Sequence, residues 1–228
     1  MENISKQITI EILRNMKQIF NFLVIAVVST SCSVTIPIRT RLSDQTMLFI
    51  ENRNIKVNYT IASNIPDGFI SYVSYFKIGL LDNSSHKYAA ESAFKEIWNL
   101  YFSSKFNPTS KNLMDVEVTL KDLKIREREE TATSMALQIA KTKINIDVLA
   151  TIYVLVNYQG KKYENQFDVN ASDFNELRPM NSGNLRYTTY QKDPIELKAK
   201  LLEICLNKSI VKFEYFLGSI MLATKESM

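Results

Sequence analysis

The chain has 228 residues, 46% hydrophobic, 11% aromatic and 23% charged, enough apolar material for one domain-sized core. A net charge of +4 is too weak to argue for nucleic acid as a partner, and five glycines leave little for phosphate-cradling loops or a turn-dense β architecture. One histidine and two cysteines exclude zinc sites built on two or more His or on a Cys cluster.

The first patterned stretch is residues 16–32. Lys6, Arg14 and Lys17 precede an apolar run, Ile19 to Val28, broken only by Asn21. Small residues Ser29, Thr30 and Ser31 then lead to Cys32. Positive charge, a short apolar core and small residues occur in the order that export requires. The run is too short to span a bilayer, which takes about 20 apolar residues. Met16 is an alternative start.

This stretch resembles the bacterial lipoprotein signal family, whose motif ends in a small residue followed by the lipidated cysteine, here Ser31 and Cys32. Ser29 stands where that family usually has Leu. The resemblance implies a signal peptide over 1–31 and Cys32 as the lipidation site and mature N-terminus, acylated on sulfur (with palmitate among the acyl chains) and on its amine. Two or three acyl chains anchor stably where one is marginal. Ser33, where an Asp favours retention at the inner membrane, points to the outer membrane, facing the periplasm. The second cysteine, Cys205, then has no disulfide partner and reads as a small buried hydrophobe in an apolar helix.

Residues 32–45 carry Pro37, Arg39, Arg41 and Asp44 with little periodicity. They read either as a tether lifting the domain off the membrane or as an irregular arm lying on it. The domain itself spans 46–228. Residues 47–61 alternate, with Ile55, Val57, Tyr59 and Ile61 on one face of a strand. Pro66-Asp67-Gly68 marks a turn, and the aromatic, β-branched run Phe69 to Leu81 returns as a second strand. A helix capped by Ser84 or Ser85 is expected to run to Lys105, with Ala90, Phe94, Ile97, Trp98 and Tyr101 on one face, and to end at Asn107-Pro108.

Residues 115–130 form a third expected strand, whose change of phase at Leu123 and Ile125 predicts a bulge near Asp122. Lys143 to Ala171 reads as a hairpin turning at Gln159-Gly160. Leu149, Tyr153 and Leu155 make its first strand apolar on both faces, as if covered on both sides. Residues 173–192 are polar and rich in turn formers and read as a long loop, the candidate for a partner contact. Asp193-Pro194-Ile195-Glu196 opens a last helix. Its stripe is Leu202, Leu206, Ile210, Phe213, Leu217 and Ile220, with Lys198, Lys200, Glu203, Lys212 and Glu214 expected to face water and fraying from Thr224.

The expected fold is α+β: a four- or five-stranded antiparallel or mixed sheet with two helices packed mainly on one face. Signal and element order together look like small envelope lipoproteins such as the LPS-assembly lipoprotein family. No catalytic, cofactor or metal residue stands out. The expected role is a non-enzymatic accessory or assembly subunit, held in the envelope by acyl chains on Cys32 and binding another envelope protein at the membrane surface. Two alternatives are carried. One is a lipoprotein holding a lipid or small amphiphile between sheet and helices, motivated by the aromatics of residues 69–106. The other is an envelope hydrolase working through carboxylates or His86, which otherwise reads as an exposed histidine near a helix start.

Overall fold

A computed structural model describes residues 35–50, 52–72, 85–133, 140–182, 185–190 and 192–225. Cys32 with its signal stretch, residues 73–81 of the expected second strand, and the last three residues lie outside that set.

The domain is α+β. A five-stranded sheet runs in the order β2 (Lys56–Ser63), β5 (Leu113–Thr133), β6 (Ala140–Tyr158), β7 (Lys161–Ser182), β8 (Leu185–Tyr190). β2 and β5 are parallel and every later pair is antiparallel. A small second sheet has the order β1 (Thr35–Ile36), β4 (Ser85–Tyr88), β3 (Phe69–Tyr72). Three helices are described: α1 (Asp44–Phe49), α2 (Ala90–Lys105) and α3 (Pro194–Lys225).

The alternation in β6 places its even-numbered residues against the helices. Ile144, Ile146, Val148, Ile152, Val154 and Val156 are all buried. Met114, Val116, Val118 and Leu120 of β5 join them. A register shift between Leu120 and Asp122, where the bulge was expected, returns Leu123 to the same face. At the hairpin tip Gln159 and Gly160 have φ of 51° and 73°, the left-handed pair that suits a two-residue turn between twisted strands.

The other face differs from expectation. Leu149, Tyr153 and Leu155 are half-buried, so β6 is central in the sheet but, among the described residues, enclosed by helices on one side only. Long polar neighbours cover them in part. The Lys121 ammonium sits 5.3 Å from the centre of the Tyr153 ring, and the Tyr153 hydroxyl donates to Glu164 at 2.7 Å.

Residues 47–49, expected to begin the first strand, belong to α1, which Ser43 caps by accepting from the Thr46 amide at 3.1 Å. Residues 35–43 lie on the domain as an arm. Ile38 is buried, and Asn207 of α3 accepts from the Ser43 amide at 2.8 Å while donating to the Arg41 carbonyl at 3.1 Å.

Of the expected helix over residues 84–105, Ser85–Tyr88 form strand β4 and the helix begins only at Ala90. Ala89 at the cap position offers no side-chain acceptor. Asp67, from the turn before β3, takes that place by accepting from the Ser92 amide at 2.9 Å and from the Ser92 hydroxyl. Ser85 lies in β4 and so does not cap α2, and Ser84 lies outside the described residues. The local signal was real, but pairing of β4 with β1 and β3 outweighs it.

The expected loop at residues 173–192 is also corrected: β7 continues to Ser182 and turns into β8. Asn175 fixes the far end of this hairpin, donating to the Lys192 carbonyl at 2.7 Å and accepting from its amide at 3.0 Å. In α3, Asp193 accepts from the Ile195 amide at 2.8 Å, as the capping signal predicts. At its other end α3 does not fray at Thr224, which is buried and back-bonds to the Ile220 carbonyl at 3.1 Å.

Candidate functional site

Three arrangements in the domain could serve a function. The first is buried charge. On α3, Lys198 has no exposed surface, and it ion-pairs with Glu127, on β5 beyond the bulge. Sixteen residues along the same helix, Glu214 accepts from Arg53 Nη2 at 2.7 Å and from the Tyr101 hydroxyl at 2.5 Å. Burial, followed by the charge of Glu214, pushes the Tyr101 hydroxyl well above the usual tyrosine range. Both Lys198 and Glu214 were expected to face water. A signal for the opposite existed, because 198, 202, 206, 210 and 214 form one row of four-residue steps along the apolar stripe. Each charge is matched by a specific partner, so these pairs tie α3 to β5 and to the segment before β2.

The second arrangement is the interior between sheet and helices. Phe94, Trp98, Tyr101 and Phe213 are fully buried, with Trp98 ring centres 6.0 Å from Phe94, 5.9 Å from Tyr101 and 5.3 Å from Phe213. The helical aromatics that motivated an amphiphile site are thus packed on one another as core. Cys205 is buried too, its thiol facing the carbonyls of Val148 and Val169 at 3.8 and 3.6 Å. Desolvation pushes that thiol up to about 12. His86 lies in β4, opposite Ser71 of β3, not at a helix start. Among the described residues no three of His, Cys, Asp and Glu come together to hold a metal ion.

The third arrangement is a surface cleft of about 560 Å³ where α3 passes the margin of β7. Its walls are Asp168, Val169 and Asn170 of β7, Ile204, Val211 and Tyr215 of α3, and the start of α1. β8 pairs with β7 only from Leu177 onward, so among the described residues β7 from Lys161 to Glu176 is a sheet edge. Side chains occupy part of that edge: Lys208 donates to the Asn170 carbonyl at 2.8 Å and Lys192 to the Phe174 carbonyl at 3.3 Å. The sequence could not mark this cleft, because its residues come from three elements far apart in the chain.

No protein-family model matches the chain, and no curated relative matches it. Among solved structures it is similar to a crystal structure of an uncharacterized protein, at 12% identity, covering 81% of this chain and 99% of that one with a TM-score of 0.39.

Proposed function

We propose that the protein is a lipid-anchored envelope subunit, acylated at Cys32 and acting without catalysis to hold a partner protein at the membrane surface, on the periplasmic face of the outer membrane. The observation that carries this reading is the order of residues 16–32: a cationic start, a short apolar run, and small residues up to Ser31-Cys32.

The arm adds geometry to the proposal. Thr35 is already in β1, only three residues past Cys32. Three extended residues reach about 10 Å at most. An anchor at Cys32 therefore holds the domain against the headgroups instead of on a long leash. The packing of Phe94, Trp98, Tyr101 and Phe213 on one another suits a role exercised at the surface, and the cleft beside β7 offers a place for it.

The test is Cys32→Ala. Loss of the mature-size band from the membrane fraction is the expected result. A mature-size band still in that fraction would overturn the anchor.

A further inference from the structure

The geometry points to β7 and α3 forming a docking groove for an extended, acidic segment of a partner protein, which adds to the sheet as a strand next to β7. This deepens the reading of the chain as a docking subunit and rests on it.

Three observations meet here. First, among the described residues no strand covers this edge. In an antiparallel ladder, alternate residues turn both backbone groups to the same side. Asn170 and Phe174 turn their carbonyls away from β6, as their bonds to Lys208 and Lys192 show. Glu164, Gln166, Asp168 and Ser172 share that parity, and among the described residues no further strand meets them. An exposed row of this kind is a template for another chain.

Second, the edge runs beside a helix wall. Ile204, Val211 and Tyr215 of α3 line the cleft together with Asp168 to Asn170. A groove between an edge strand and a helix recognises an extended peptide twice: main-chain bonds to the strand give affinity, and alternate side chains meet the wall.

Third, the charge left over is positive. Of the two acids of the cleft, Glu203 is ion-paired with Arg41 at 3.2 Å, and Asp168 keeps its charge while accepting from the neutral Thr151 hydroxyl at 2.6 Å, so Lys208 and Lys212 together outweigh it. Lys208 holds only a backbone carbonyl, and Lys212 is exposed with no ion-pair partner among the described residues. An acidic segment complements these ammoniums.

The test uses the full-length protein extracted from membranes in mild detergent. The probe is a fluorescent peptide of about ten residues in which Val and Glu alternate, a length that matches one or two average strands. Saturable binding is expected by fluorescence anisotropy. Asn170→Pro, which deletes one outward N–H and leaves the ladder to β6 intact, is expected to weaken it about tenfold. Lys212→Glu is expected to weaken it severalfold and to improve binding of the matching Val–Lys peptide. Peptides N-methylated at every Val, or at every Glu, test the backbone bonds on the unaltered protein. One of the two is expected to lose about tenfold in affinity.

No binding up to about 1 mM, equal binding by both N-methylated peptides, or preference of the wild type for the Val–Lys peptide would overturn the groove. So would uptake of a fluorescent fatty acid in place of the peptide, or an Asn170→Pro variant that turns a dimer into a monomer with peptide affinity unchanged. Any of these with membrane attachment intact removes the groove alone. Loss of the Cys32 result removes the broader reading.

Discussion

Lys198 of α3 and Glu127 of β5 form an ion pair in which the lysine is fully enclosed and the glutamate side chain keeps 11% of its surface. It joins the first turns of α3 to the part of β5 beyond the bulge. Removing one partner strands the other charge in the core, whereas replacing both removes the desolvation cost along with the attraction. Glu127→Gln or Lys198→Met alone is therefore expected to lower stability by about 3–5 kcal/mol. The double replacement Glu127→Leu with Lys198→Met is expected to restore most of it. Urea unfolding of the four proteins measures this, and equal loss in single and double variants would contradict it.

Tyr101 supplies a pH signature. Its hydroxyl donates to Glu214, and burial together with that negative charge raises its pKa above the ordinary value near 10. The folded state then holds the proton more tightly than the unfolded state. This contribution is complete below pH 10 and is lost as pH rises beyond it. Tyr101→Phe is expected to cost about 1.5–3 kcal/mol at neutral pH, as for a hydrogen bond to a charged group. The gap between variant and wild type is expected to narrow above pH 10, as read from urea midpoints. A gap that stays constant with pH would show that Tyr101 does not carry the effect.

Asp67 caps α2 from outside the helix, with a carboxylate held below the usual range first by its hydrogen bond from the Ser92 hydroxyl and next by that from the Ser92 amide. A depressed carboxylate stabilises fully above its unfolded pKa near 3.8, and the effect is lost as pH falls from there through the lowered folded value. Because Asp67 is exposed, Asp67→Ala is expected to cost only about 0.5–1 kcal/mol at pH 7, and less at pH 2–3. Thermal melts at the two pH values compare them. A cost that does not fall at low pH would assign it to packing instead.

Cys205 gives a thiol count. Buried, with its pKa at about 12, it is expected to resist thiol reagents at pH 8 until the chain unfolds. Under denaturing conditions the membrane-extracted protein is expected to show one reactive thiol, that of Cys205. Rapid labelling of Cys205 in the native protein would contradict the packing described for α3 against β6 and β7.

The parts of the fold legible in the sequence were those set by period and local turn chemistry. The alternation of β6, the bulge near Asp122, the turn at Gln159-Gly160 and the Asp193 cap all rest on neighbours in the chain. The misread parts depend on partners far away. Ser85 looks like a cap until β4 pairs on both sides, and Asp67 then caps from 25 residues away. Residues 173–192 have turn-rich composition, yet ladder bonds to β6 and within the hairpin hold them extended. Lys198 and Glu214 look solvated because charge is read before position, and distant partners, Glu127 for the one and Arg53 with Tyr101 for the other, make their burial tolerable. The cleft beside β7 has no sequence motif at all, since an unpaired edge is defined by which strands are missing from its side.

The proposed lipid on Cys32 can be weighed by the intact mass of the membrane-extracted protein. A chain that begins at Cys32 and carries the added mass of a diacylglyceryl group, with or without an amide-linked acyl chain, is expected. A chain that retains residues before Cys32, or that begins at Cys32 with an unmodified thiol and amine, would contradict it.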